Sequence, residues 1–483
     1  MQTPATGTTI LQDPTRQRLL LVLVSIAGFM GSLDTTIVNI SLPTISEYFD
    51  TSIPIVSWVS MAYLLTLSAT LIAFGRLADI RGYRKVYLWG FAIFTIGSLS
   101  CGMLSSTITA LIGFRVVQAI GAAMLQAIGG AMITMYLPAQ NRGKALGIMT
   151  TFISVGVAAG PVLGGFLSQY LSWHWIFLIN IPVGVVAILL GTVAIPSDNP
   201  DAVSSKCHFD AAGAGILFAA LGTLIFAINM GKVIGWTSPL IIGCAVATVI
   251  FFVVFVIWER RCEDPLINLH FFSNRDYTFA NFAALLAMLL VTGSSFILPF
   301  YLEYGKGLQT DMAGLMLIIP AVALMVMGPV AGRLSDRIGS RRLCLAAAVC
   351  YVAAYLLYSV MTPSTGYLHI ILALALMGTA AGLFIPPNFS MILGFSPHGS
   401  EGVVSSIAMT MRNIGSVLAV ALFGTIFTMI AFSSGVDPTT GHLTVAAMNS
   451  GFNGVFTFGA LLGVFIFILS FVAHEEKKGK RAG

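Results

Sequence analysis

Long apolar runs, broken by short polar stretches, repeat along the whole 483-residue chain. A run of about 20 apolar residues is long enough to cross the hydrocarbon core of a bilayer as a helix. Charge-free stretches bounded by turn and charge signals predict fourteen such spans, at about 19–40, 53–75, 86–104, 107–136, 145–169, 174–195, 211–231, 238–258, 277–302, 312–332, 343–361, 367–394, 402–431 and 446–472. Between the third and fourth, Leu104, Ser105, Ser106 and Thr107 have to form a tight turn. The first run follows Arg16 and Arg18 and continues through Leu33, Asp34 and Thr35 without a small-residue cleavage site, so it reads as a retained helix and not as a leader.

Composition explains why these runs cannot be the core of a water-soluble domain. The chain is 57% hydrophobic and 9% charged, against about 25% charged in ordinary soluble domains. Lipid can solvate that much apolar surface; one soluble core cannot. With the N-terminus inside, Lys and Arg gather in the inner segments around 16–18, 76–85, 142–144, 206, 260–275, 333–342 and 477–481, which together hold 20 of the 24 basic residues. Lys232 and Lys306 fall outside, and Arg115 and Arg412 lie within spans. This asymmetry predicts an even number of spans with both termini cytoplasmic. The net charge of +5 is thus sorted by side of the membrane and not gathered into a nucleic-acid patch. The six cysteines form no CxxC pair and have no histidine at zinc spacing, so neither a disulfide framework nor a metal site is read. No G-x-x-x-x-G-K-[ST] loop and no HExxH helix occurs, which leaves ATP-driven pumping and zinc proteolysis without visible machinery. A membrane enzyme, primary pump or receptor is therefore disfavoured, and no cofactor is expected.

An internal repeat sets the predicted architecture. Residues 75–85 read GRLADIRGYRK and residues 332–342 read GRLSDRIGSRR, matching at Gly, Arg, Leu, Asp, Gly and Arg with an offset of 257. Gly121 and Gly378 keep the same offset. Both copies fall on the inner side, so the two halves are parallel repeats. The second copy follows span 10 and not span 8, so two helices have been inserted, with spans 7 and 8 the natural candidates. The expected fold is all-α and polytopic: an N-terminal tail (1–18), a six-helix bundle (19–195), a linker carrying the inserted helices 7 and 8 (196–275), a second six-helix bundle (276–473) and a basic cytoplasmic tail (474–483).

Several segments carry a family resemblance in a fixed order. Residues 75–85 resemble the signature between helices 2 and 3 of the major facilitator superfamily. Residues 33–43 (LDTTIVNISLP) resemble the helix 1 motif of its fourteen-helix drug:proton antiporter family. Residues 115–121 (RVVQAIG), 156–165 (GVAAGPVLGG) and 173–182 (WHWIFLINIP) are similar to that family's helix 4 motif, helix 5 antiporter motif and a further family segment. The resemblance covers about residues 19–472. It implies a major facilitator fold and proton-driven export of hydrophobic or cationic drugs by alternating access. The partners it implies are small amphipathic substrates, protons and membrane lipid, with a monomer expected in the plasma membrane. A transporter of one specific metabolite, lipid or siderophore on the same scaffold is the alternative.

Individual residues sharpen this expectation. Asp34 is the only acid well inside a predicted span, about 16 residues or roughly 24 Å from the inner end. An ionised carboxylate there is costly unless paired or hydrated, and one able to exchange a proton could also attract a cationic substrate; a structural pairing with an arginine is the plainer alternative. Arg115 approaches the same depth from the outside and keeps its charge, so it can answer a carboxylate but cannot carry the proton. The resemblance gives it a coupling role. Gln118 lies one turn on, near the same face. Arg412 is expected near mid-membrane, facing a cavity or neighbouring carbonyls, and Glu303 at the outer end of span 9 is a candidate cation contact or a solvated helix end. Gly156, Gly160 and Gly164 recur every four residues beside Pro161 and Gly165, making a smooth face for close helix approach. Gly75, Arg76, Asp79, Gly82 and Arg84, with Asp336 and Arg337, are read as a conformational gate. By resemblance Asp79 meets the start of helix 13 near Ser400 and Glu401, and by symmetry Asp336 meets the start of helix 5 near Arg142. Trp58, Met61 and Tyr63 are named as residues that could line an apolar cavity.

Overall fold

The computed structural model describes residues 13–196, 210–262, 269–395, 401–435 and 444–473, which contain helices and turns and no strand. Among these residues fourteen helices are long and apolar enough to cross a membrane. The tight turn between the third and fourth falls where the polar quartet predicts it: helix Tyr83–Met103 is followed by Ile108–Tyr136, and the Thr107 hydroxyl accepts from the Ala110 amide at 3.2 Å as a cap.

The ends of several spans differ from the apolar pattern. Span 1 runs Pro14–Tyr48 and not 19–40. It starts on a cap-and-proline signal, Asp13 accepting from the Thr15 amide at 2.8 Å with Pro14 in the first turn, and it continues through Pro43. Hydrophobicity sees only the lipid-crossing part of a helix, whereas capping decides where the helix begins. Span 2 is broken at Ser57 into Ile53–Val56 and Trp58–Arg81. Span 6 is similarly split into Trp175–Leu178 and Asn180–Ala194. Span 9, Arg275–Phe300, ends in a wider turn of π-helix over Tyr301–Gly305.

The two signature segments, which the apolar runs leave between spans, are mostly helix. Trp58–Arg81 runs to Gly82, and Tyr83–Met103 starts at once beyond it; Thr310–Ile338, Gly339 and Ser340–Ser359 repeat the arrangement. One residue makes each reversal, with φ +96° at Gly82 and +89° at Gly339. Only glycine adopts that backbone without strain, which is why the glycine recurs at the 257-residue offset. Asp79 and Asp336 therefore lie in the last turns of their helices.

The same pairs of helices pack in both halves of the sequence. Spans 1·5, 2·4, 3·4, 3·6, 1·4 and 1·6 are in contact, and so are 9·13, 10·12, 11·12, 11·14, 9·12 and 9·14. The repeat is thus one of packing as well as of sequence. The glycines at the common offset serve different neighbours: a Cβ on Gly121 would run into the Phe94 backbone of span 3, and one on Gly378 into the Pro320 backbone of span 10.

By contacts the chain forms two compact units. One comprises Met1–Asp50, Trp58–Ala220 and Phe251–Leu266, and the other Thr51–Ser57, Leu221–Ile250 and Ile267–Gly483. The inserted helices, Ala211–Ile234 and Pro239–Arg261, contribute residues to both. Within the second unit, Asn229 of span 7 donates to the Ser57 hydroxyl at 3.1 Å, and the Thr425 hydroxyl of span 13 donates to the Ile228 carbonyl at 2.9 Å.

Candidate functional site

The intramembrane acid and one of the two intramembrane arginines meet in the first unit. Asp34 is fully buried, 20 residues past the start of its helix and 14 short of its end. Arg115 and Gln118 sit on one face of span 4, three residues apart, and are equally inaccessible. An Arg115 terminal nitrogen donates to Asp34 Oδ2 at 2.7 Å and to Gln118 Oε1 at 2.6 Å, while Arg115 Nε donates to the Val59 carbonyl of span 2 at 3.1 Å. The other Asp34 oxygen accepts from Gln118 Nε2 at 2.8 Å and from Asn180 Nδ2 of span 6 at 3.4 Å. Gln118 also donates to Ser98 Oγ of span 3 at 2.8 Å. Spans 1, 2, 3, 4 and 6 thus converge on one carboxylate.

The guanidinium is also held from its faces. Its carbon lies 4.0 Å from the centroid of the Tyr63 ring and 5.7 Å from that of Phe177, a placement that attracts a cation in a dry site. The pair is the one salt bridge found among the described residues. An ion pair this dry stands only because every oxygen of the acid is hydrogen-bonded.

The glycine face of span 5 packs directly behind Asp34. A Cβ on Gly156 would strike the Ser32 hydroxyl and the Phe29 carbonyl, one on Gly160 the Thr36 side chain, and one on Gly164 the Ile37 carbonyl and Ile40. Ser32 Oγ donates to the Ile153 carbonyl at 2.9 Å, and Ser41 and Ser168 share a hydroxyl contact of 2.8 Å. Pro161 and Gly165 are buried on the same helix. The small residues therefore set the distance between span 5 and the helix carrying the acid.

Other expected site residues are not part of this cluster. Arg412 belongs to the second unit, where its two terminal nitrogens lie 3.9 Å from the sulfurs of Met409 and Met288. Glu303, also in that unit, is half-buried in the π-helical turn and accepts from the Thr310 hydroxyl at 3.1 Å, so it is not a freely solvated helix end. Of the gate residues, Gly75 lies inside helix Trp58–Arg81, Arg84 donates to the Thr192 carbonyl at 2.7 Å, and Arg337 is exposed. The side chains of Arg76, Asp79, Asp336 and Glu401, and residue Ser400, lie outside the described residues. Arg142 donates through Nε to the Leu137 carbonyl at 3.0 Å.

Five partners were missed by sequence reasoning, among them the Ser98 hydroxyl and the Phe177 ring, which carry no local signal. Asn180 lay inside a motif quoted for its resemblance, and a polar residue in an otherwise apolar span was its signal. Tyr63, one of the possible cavity-lining residues, lies buried against Arg115. The Val59 carbonyl left no sequence signal, because backbone accepts at every position.

Comparison with known proteins gives the family and the fold. The model of the Major Facilitator Superfamily matches residues 24–420 and 282–483. The chain is 33% identical over 410 residues to the riboflavin transporter RibZ of Clostridioides difficile, covering 85% of this chain and 88% of that one. It is 29% identical over 411 residues to the multidrug resistance protein Stp of Mycobacterium tuberculosis, covering 85% and 76% respectively. A crystal structure of a bacterial homologue of the human lysosomal transporter Spinster, inward-facing and unoccupied, shares the fold at a TM-score of 0.65 and 16% identity, over 95% of this chain and 98% of that one. The chain belongs to the Major Facilitator Superfamily, and its motifs and relatives fall with the fourteen-helix drug:proton antiporter family. It is an integral membrane protein of the transporter kind.

Proposed function

We propose that this transporter is a proton-coupled antiporter of the plasma membrane that exports small hydrophobic or cationic compounds by alternating access, with both termini cytoplasmic. The observation that supports this reading best is the buried pairing of Asp34 with Arg115 and Gln118. Ionised, it fastens span 1 to span 4 through Arg115 and Gln118. Protonated, it loses its charge attraction for Arg115 and offers fewer acceptor sites. Arg115 then keeps the Gln118 oxygen, the Val59 carbonyl and two ring faces. One proton thereby loosens a junction of five helices, and the proton gradient supplies the direction without a cofactor. The glycine face of span 5 gives span 1 a smooth surface on which to shift. The segments 75–85 and 332–342 act in this scheme as latches at the inner face, and distance measurements on Asp79→Ala that show no bias toward the inward-open state would remove that element.

The deciding experiment reconstitutes the protein in liposomes with an internal pH dye and adds ethidium, tetraphenylphosphonium and riboflavin in turn. Substrate-driven proton movement by the wild type, lost in a folded Asp34→Asn variant, is the expected result. Substrate movement without proton movement, or an unchanged Asp34→Asn, overturns the proposal. A second reading, transport of a single metabolite, is favoured by the similarity to the riboflavin transporter. It predicts a response to one compound of the panel only.

A further inference from the structure

The two intramembrane arginines are treated differently by the fold. Arg115 has a carboxylate, a side-chain amide, a backbone carbonyl and an aromatic face. The hydrogen-bonding contacts of the Arg412 guanidinium among the described residues are thioether sulfurs, which are weak acceptors. No carboxylate among those residues pairs with it. It lies 11 residues beyond Glu401 on its helix, about 16 Å along the axis, where a permanent charge is costly unless something neutralises it.

Arg412 opens onto a small recess wholly within the second unit, walled by apolar side chains that include Met288, Phe384, Phe389 and Ile392. Asn388 is the other polar lining residue. It is 2% exposed; its amide nitrogen is spent on the Ala280 carbonyl at 3.2 Å, and its Oδ1 has no hydrogen-bond partner. A half-buried charge without a counter-charge and a buried acceptor without a donor therefore meet in one apolar recess. Buried polar groups are ordinarily satisfied, so such a pair points to a group that arrives from outside.

We infer that this recess is the head-group site of the transported molecule, which binds as an amphipathic anion: its acidic group on Arg412, its nearest hydroxyl or N–H on Asn388 Oδ1, its apolar body on the surrounding rings and aliphatic chains. This rests on the transporter reading but not on proton coupling, and among the hydrophobic and cationic compounds of that reading it selects hydrophobic ones that carry an acidic group. Asp34 offers a cation little, because both of its oxygens are already engaged.

The test measures binding to the detergent-purified full chain by fluorescence anisotropy, with three probes that differ only in the head group: pyrenebutyrate, pyrenebutanol and pyrenebutylammonium. The wild type is expected to hold pyrenebutyrate more tightly than pyrenebutylammonium by about tenfold or more, the range of a charge-assisted hydrogen bond. Arg412→Gln should remove that preference and leave pyrenebutanol unchanged. Met288→Glu, which gives the guanidinium an internal partner and so keeps the charge buried in a pair, should also abolish the preference with Arg412 intact. The inference is overturned if the wild type binds no pyrenebutyrate or prefers the cation, if Arg412→Gln weakens all three probes alike, or if folded Met288→Glu binds as the wild type does. Since nothing in this assay moves a proton, a failure here leaves the Asp34 experiment standing, and the reverse.

Discussion

At the scale of single residues, the Asp34–Arg115 pair carries the sharpest consequences. Leaving one buried charge without its partner costs about 3–5 kcal/mol, so Arg115→Ala should lower the thermal unfolding midpoint strongly, while combining it with Asp34→Asn should recover part of the loss. Additive losses in calorimetry would show that the two residues do not act as a pair. His174 offers a second, pH-dependent case at the end of the span 5–6 connection, just before helix Trp175–Leu178. Its ring stacks on Trp173 at 3.8 Å, meets Tyr48 edge-on at 5.6 Å and shares a 2.6 Å contact with Ser172. Burial holds its pKa below the usual histidine value of 6.5. The folded protein therefore resists a proton that the unfolded chain accepts, so stability is full above 6.5 and falls as acidification passes that value toward the lower folded one. The unfolding midpoint should drop between pH 7.5 and pH 5, and drop less in His174→Phe; an equal drop in both would assign the effect elsewhere. The sequence already pointed to Asp34, Arg115 and Gln118 because charge and amide groups stand out in apolar helices. Tyr63 and Phe177 did not stand out, since nothing local separates an aromatic ring under a guanidinium from one facing lipid.

At the scale of elements, glycine decides two geometries. Gly82 and Gly339 hold left-handed backbone that would strain any other residue, at a cost of about 1–3 kcal/mol each. Gly82→Ala and Gly339→Ala should therefore each destabilise the protein by about that much in chemical unfolding, although neither removes a side-chain contact. A loss at only one of the two positions would break the equivalence of the repeats. Gly160 acts by close approach instead, since a Cβ there would collide with Thr36. Gly160→Val should push span 5 off span 1 and raise passive proton leak in liposomes, and an unchanged leak would reduce the glycine face to tight packing. The four-residue spacing was legible in the sequence, but the partner helix was not. Spacing identifies a smooth face, and only the fold says which helix lies on it. The helix ends were misjudged for a related reason: hydropathy reports the apolar stretch, whereas Asp13 and Pro14 at one end, and a single glycine between spans 2 and 3, set the true limits.

At the scale of the whole molecule, the distribution of Lys and Arg predicts a fixed orientation. A reporter domain that folds only in the cytoplasm should be active when fused after Gly483 and silent when inserted after Trp236, between spans 7 and 8. Activity at both sites would contradict the inside-positive reading. The first inserted helix is bonded into its surroundings through Asn229 and Ile228, which the sequence did not foretell. What the sequence determined by itself is the number of spans, the 257-residue repeat and the family, because apolar length, charge placement and motif order are properties of the chain read one segment at a time. What the tertiary structure alone decided is who neutralises whom. Arg115 finds Asp34 across 81 positions and Asn180 joins across 146, while Arg412, equally surrounded by apolar residues in the sequence, finds two sulfurs. The free energy of a charge in a low-dielectric interior depends on the few atoms within about 4 Å of it, and those atoms are brought there by helices distant in sequence.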